Sequence, residues 1–314
     1  MSCNDIPSPI IHTRTSIPLA DSRAWTAIPA AFLFEQGTLI LHEPVGSDVH
    51  ALLTQLLDGD YRRPFMVDDG AIRRLHFSLA FVQSEMLIDD PLALQLGYTR
   101  KMMAGMLFNP SPEHVCIVGL GGGSLTKFWL HHHPDTVVTT VEINEDVIAF
   151  APWFGVPTGL ARAPIVHIDA YDYFQQPGPN FDVVMLDGFD LKGIAPRLCD
   201  EAFYVRVRDR LKPGGVLVMN LAGPTAIEEA HLSIVRSVFN DQVIVHEVEV
   251  YGNRVVFAFD ERWFSPDWTA VERTATALAH THQLDYPAFA RKLRRSYGLK
   301  REQNRSREFR GSLG

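Results

Sequence analysis

From Val115 to Phe259 the chain alternates between short apolar, β-branched runs and helical patterns, and this alternation restricts the possible folds more than any other feature. Strands read at Val115–Val118, Val137–Glu142, Ile165–Asp169, Asp182–Leu186, Val216–Asn220, Gln242–Val250 and Arg254–Phe259. Helical patterns fall at Leu125–His132, Glu145–Ala151, Glu201–Leu211 and Thr225–Phe239. Strands separated by helices build βαβ units, whose crossovers join parallel strands. The last two strands have only Tyr251-Gly252-Asn253 between them. No crossover fits in three residues, so these strands form an antiparallel hairpin.

The flanking segments read differently. Residues 1–35 are punctuated by Pro, Ser and Thr and show little periodicity. Thr38–His42, Arg73–Phe77 and Ser78–Val82 read as strands of a small N-terminal β lobe, with a turn signal at Asp68-Asp69-Gly70. Leu94, Tyr98, Met102 and Met106 recur every four residues, which predicts an amphipathic helix over 92–108. The end, Arg291 to Arg310, is strongly basic and reads as a solvated tail whose removal leaves the fold intact. The chain thus divides into 1–90 (N-terminal segment and β lobe), 91–265 (catalytic domain) and 266–314 (helical, basic tail).

Composition narrows the setting. The net charge of −8 has the wrong sign for a general nucleic-acid partner. No run of about 18 uncharged apolar residues exists to span a membrane, and the first ten residues carry no basic patch before an apolar core. Cys3, Cys116 and Cys199 are odd in number and widely spaced, which fits a reducing compartment and a cytoplasmic location. His131-His132-His133 diverge by about 100° each on a helix, so they cannot face one ion together, and no metal is expected. Phe128 and Trp129 on the same helix read as core. Cys116 reads as buried and inert.

The chemistry concentrates at the strand ends. Gly119-Leu120-Gly121-Gly122-Gly123-Ser124 joins a strand to a helix, where glycines let backbone approach a ligand and Ser124 can cap the helix. Ser124 stands where the nicotinamide G-x-G-x-x-G pattern needs glycine. Glu142, Asp169 and Asp187 close the second, third and fourth strands. Open α/β sheets bind ligands outside the carboxyl ends of their strands, so these groups converge on one crevice. Glu142 suits ribose hydroxyls and Asp169 an adenine amine, which together describe an adenosyl pocket. Asp187 and Asp190 place two carboxylates on the turn at its mouth, able to hold a cationic amine and take its proton. The pattern describes a class I adenosylmethionine-dependent (Rossmann-like) doubly wound α/β sheet with a terminal antiparallel hairpin, preceded by the small β lobe.

The chain also resembles the spermidine synthase (polyamine aminopropyltransferase) family. Phe81–Met86 (FVQSEM), the tyrosine helix at Tyr98, Val115–Leu125 (VCIVGLGGGSL), Val137–Asn144 (VVTTVEIN), His167–Phe174 (HIDAYDYF), Asp182–Asp190 (DVVMLDGFD) and Glu201–Asn220 carry the likeness. The resemblance implies transfer of an aminopropyl group from decarboxylated S-adenosylmethionine to a diamine such as putrescine, by a homodimer. It implies that Gln83 and Glu142 hold the nucleoside together with Gly119, Gly121 and Gly123, and that Asp169-Ala170 meets the adenine. Asp187 would take the proton, while Tyr98 and Asp190 would hold the amine. The chain departs from the family pattern at Gly122, where the family has an aspartate, at Ala170 for glycine, at Leu191 for proline, and at Thr99-Arg100 after the tyrosine. Gly122 removes a negative charge that would repel the carboxylate of intact S-adenosylmethionine. An amine methyltransferase is therefore the second reading, and a non-catalytic nucleoside-binding homologue the third.

Overall fold

The computed structural model describes residues 23–33, 36–190, 193–248, 252–261 and 264–311 of the 314. Cys3, the start of the N-terminal segment, residues 249–251 of the last connection and the end of the tail lie outside the described residues.

The N-terminal lobe holds β1 (Arg23–Pro29), β2 (Thr38–Pro44), α1 (Val49–Asp58), β3 (Phe65–Asp68), β4 (Ile72–Ser78) and β5 (Phe81–Leu87). Its strands pair antiparallel in chain order. β1 lies in the stretch that showed no periodicity, because its burial does not alternate. β3 is four residues long and buried on three of them, so it carries no period-two signal. Ser78–Val82, which reads as a strand, is the turn between β4 and β5 together with their ends.

A short α2 (Gly97–Met102) follows, then β6 (His114–Val118), α3 (Ser124–His132), β7 (Val137–Glu142), α4 (Glu145–Phe150), β8 (Ile165–His167), α5 (Ala170–Gln175) and β9 (Phe181–Leu186). A two-stranded ribbon, β10 (Phe189–Asp190) with β11 (Gly193–Ile194), precedes α6 (Glu201–Asp209). The chain continues through β12 (Leu211–Leu221), α7 (Thr225–Val238), β13 (Val243–Glu247), β14 (Arg254–Phe259), α8 (Trp268–His282) and α9 (Tyr286–Gly311).

The main sheet runs β13-β14-β12-β9-β6-β7-β8. From β12 to β8 every pairing is parallel. β14 runs antiparallel to both β12 and β13, so the expected hairpin folds back with its second strand inside the sheet. Alternate residues feed two cores. Val115, Ile117, Val183, Met185, Val216 and Val218 face α3, α8 and α9. Cys116, Val118, Val184, Leu186, Leu217 and Met219 face α5, α6 and α7. Phe128 and Trp129 belong to the first core. Cys116 belongs to the second, and burial there pushes its thiol up to about 12. A third cluster joins the lobes, with Ile40, Met66, Leu75 and Met86 against Leu120, Phe150, Phe154 and Val156. It seats β5 over the glycine loop.

Two expectations are corrected here. The helix over 92–108 starts only at Gly97, and Met103–Leu107 tightens to a 3₁₀ turn. Met102 to Leu107 are buried on every side, so the segment has no solvent face to make it amphipathic. A Cβ on Gly105 would come within 2.8 Å of Val218, so backbone packs directly on the sheet. The start of the basic tail, up to Tyr297, is packed rather than solvated. Tyr286, Ala290 and Leu293 are buried in the first core, Tyr297 Oη donates to the Phe264 carbonyl at 2.7 Å, and Arg294 pairs with Glu272. His132 and His133 pack against His282. Burial lowers the pKa of His132 to about 4. Among the described residues, no group of three His, Cys, Asp or Glu could hold a metal ion, and no helix is long and apolar enough to cross a membrane.

Candidate active site

A cavity of about 310 Å³ opens at the carboxyl ends of β6, β7, β8 and β9, with β5 and α2 closing one side. The glycine loop forms its floor. Gly119 has φ +93°, and a Cβ there would lie 2.3 Å from the Asp187 carbonyl oxygen. Its N–H donates to Val141 O at 2.9 Å, while Asp187 N–H donates to Val118 O at 2.9 Å. The loop and the end of β9 are therefore locked together through backbone.

Glu142 is buried at the end of β7. Its Oε2 accepts from Leu120 N at 2.8 Å and its Oε1 from Asn144 N at 2.8 Å. Burial raises its pKa, and these backbone donors oppose the rise. The carboxylate thus braces the loop and still lines the cavity. Asp169 caps α5 through Tyr171 N at 2.8 Å and meets the Arg197 guanidinium. Arg197 also binds Asp172 and lies over the Tyr171 ring, 4.7 Å from its centroid.

Asp187 ends β9 between two donors. Tyr98 Oη donates at 3.2 Å and Asn220 Nδ2 at 2.9 Å. Asn253 Nδ2 in turn donates to Asn220 Oδ1 at 2.9 Å. Burial drives the Asp187 carboxyl up to about 7, against the pull of both donors. Tyr98 is held well above its ordinary value by burial and the neighbouring carboxylate, so it remains a donor.

Gln83 reaches the cavity through an irregularity. Leu75 pairs with Ser84 and His76 with Val82, which leaves Gln83 bulged out of register. On the facing strand Phe77 is skipped in the same way. Regular strands turn neighbouring side chains to opposite faces, whereas a bulge re-aims one of them. Phe77, Gln83 and Ser84 all line the cavity as a result.

Gln83, Gly119, Gly121, Glu142, Asp169, Ala170, Tyr98 and Asp187 come together on this wall. Gly123 does not line it. With φ +65°, Gly123 starts α3, and a Cβ there would strike Val156 at 2.2 Å. Ser124 is the first residue of α3 rather than its cap, and it faces the cavity. The side chain of Asp190 lies outside the described residues, and its backbone is in β10. Asn220, Asn253, Ser84 and Arg197 were not singled out from the sequence. Asn220 could have been found, because it closes the fifth strand as the acids close the others. Ser84, Asn253 and Arg197 carry no such signal.

The Spermine/spermidine synthase domain matches residues 96–252. The polyamine aminopropyltransferase of Chromobacterium violaceum is 33% identical over 230 residues, covering 73% of this chain and 88% of that protein. A probable spermidine synthase from Corynebacterium glutamicum superposes with a TM-score of 0.57 at 20% identity, over 69% of this chain and 85% of that one. Human methyltransferase-like protein 13, solved with SAH, gives 0.53 at 25% identity, over 60% of this chain and 93% of that one. The matched segment contains every strand-end acid and the carboxylate held by Tyr98 and Asn220, and on these grounds the chain belongs to the spermine/spermidine synthase family.

Proposed function

We propose that this chain is a polyamine aminopropyltransferase that moves an aminopropyl group from decarboxylated S-adenosylmethionine to a small diamine such as putrescine. The observation that carries this reading is Asp187, a half-buried carboxylate fixed by Tyr98 and Asn220 on the wall of a cavity whose other acids suit a nucleoside. The names of the related aminopropyltransferases support it.

The cavity divides by chemistry. Glu142 accepts from ribose hydroxyls, and Asp169 with the Ala170 backbone meets the adenine edge. Ile143 and Leu198 supply apolar walls for the ring. The sulfonium supplies a leaving group that needs no protonation. Asp187 has two tasks. As an anion it holds the substrate ammonium, which is the dominant form of an alkylamine at neutral pH. As a base it takes a proton from that ammonium, which frees the nitrogen lone pair to form the new N–C bond while the C–S electrons return to sulfur. Tyr98 and Asn220 fix the carboxylate so that the nitrogen lines up with the C–S bond, where positioning lowers the barrier most. Asp190 is assigned to hold the far end of the amine.

The second reading, an amine methyltransferase using intact S-adenosylmethionine, is favoured by Gly122 and by the likeness to methyltransferase-like protein 13. A mass-spectrometric product assay with both sulfonium donors and a panel of diamines separates the two. An aminopropylated diamine with methylthioadenosine as co-product is expected. Methylated product formed only from the intact donor overturns the reading.

A further inference from the structure

The cavity has a region that the nucleoside and the amine leave over. With ribose at Glu142 and the acceptor at Asp187, the sulfur lies over the glycine loop between β7 and β9. The donor's three-carbon tail must then run toward the remaining wall, which Ser84, Gly121, Ser124 and Leu125 form. The charged residues lining the cavity, among those described, are Glu142, Asp169, Asp187 and Arg197, and none belongs to this wall.

Ser84 fills the space in which a side chain at position 122 would stand. A Cβ on Gly122 would come within 2.6 Å of Ser84 Oγ and 2.9 Å of Phe154 Cδ1. With glycine at 122, β5 places a serine hydroxyl where the side chain of that residue would otherwise stand. Ser84 is only 6% exposed, and no group among the described residues hydrogen-bonds its hydroxyl, which faces the cavity. A hydroxyl that opens on a cavity is free to hydrogen-bond what the cavity holds. Ser124 opens α3 beside it, where the helix N-terminus disfavours a cation and favours an anion. Behind Phe154 the buried Lys127 donates to the Phe154 carbonyl at 2.7 Å, and its charge likewise has the sign that suits an anion.

Resting on the adenosyl-donor reading above, we infer that the tail of the donor is held by the hydroxyls of Ser84 and Ser124 in a subsite without a carboxylate. The chain therefore binds intact and decarboxylated S-adenosylmethionine with similar affinity, because no carboxylate on this wall repels the one or attracts the tail of the other.

Calorimetry on the full chain tests this with three probes: methylthioadenosine, which lacks the amine tail, and the two sulfonium donors. In the parent protein the two donors are expected to bind within about ten-fold of one another. Ser84→Ala is expected to weaken both donors about three- to ten-fold, the loss of one neutral hydrogen bond, with methylthioadenosine unchanged. Ser124→Ala should act in the same direction. A parent preference for either donor beyond ten-fold overturns the inference. So does unchanged donor affinity in Ser84→Ala while methylthioadenosine still binds, which also shows the variant is folded. Failure of methylthioadenosine to bind the parent overturns the adenosyl reading and this inference with it.

Discussion

Tyr98 Oη and the Asp187 carboxylate meet at 3.2 Å, which joins the first helix of the catalytic domain to the end of its fourth parallel strand. The contact fixes a carboxylate on the cavity wall.

Asp187→Asn keeps the shape and one acceptor but loses the anion and the base. Turnover should fall about 10²- to 10⁴-fold, with little change in methylthioadenosine affinity and partial recovery at high pH, where free amine is more abundant. In the parent, activity should rise with pH through about 7 as Asp187 ionises. Steady-state kinetics from pH 6 to about 10 checks both, and full activity in the variant would sink the mechanism.

The same burial makes Asp187 a stability liability. Its folded pKa is raised to about 7, so the neutral carboxyl contributes fully below its ordinary range near pH 4 and that contribution is lost as pH rises through 7. Asp187→Asn should therefore melt higher than the parent at pH 8, by at most about 4 kcal/mol in stability, and close to it at pH 3.5. Melting curves at the two pH values decide this.

Asn220→Ala removes a donor that lowers the Asp187 pKa. The acid limb of the pH–rate profile should move up by about one to two pH units. Asn253→Ala should move it less, because Asn253 acts through Asn220. A lower rate with an unmoved limb would show that the asparagines only support the fold.

Much of this arrangement was legible in the sequence. The seven strands of the main sheet and the converging acids follow from strand–helix alternation and from where each run ends. The bulge at Gln83 and the serine it turns toward the loop were not legible. A register shift depends on the partner strand, and a single run carries no trace of it. The C-terminal helix was misread for a related reason. Its buried residues Tyr286, Ala290 and Leu293 and the half-buried Tyr297 keep helical spacing, but dense arginines between them mask the stripe.

Glu142→Gln should weaken methylthioadenosine binding about ten- to a hundred-fold, because a charged acceptor for two ribose hydroxyls becomes a neutral one. It also turns an acceptor of Leu120 N or Asn144 N into a donor, so the loop loosens. Unchanged affinity by calorimetry would show that the ribose lies elsewhere.

Leu293→Ala opens a cavity in the first core and should cost about 2–5 kcal/mol. A chain ended before Arg291 should melt well below the parent, measured by circular dichroism. Equal melting temperatures would restore the picture of a solvated tail.

Gly119 has a consequence for how substrate choice can diverge. Its Cα sits so close to the Asp187 carbonyl that no other side chain fits. The glycine loop and the end of β9 are thus held as one backbone unit, and a side chain at 119 cannot be introduced without displacing both. New specificities must arise by remodelling what is laid around that unit: the β5 edge contributed by the N-terminal lobe, and the segment carrying Ala195, Arg197 and Leu198. The chemistry is conserved by geometry, and variation is confined to the rim.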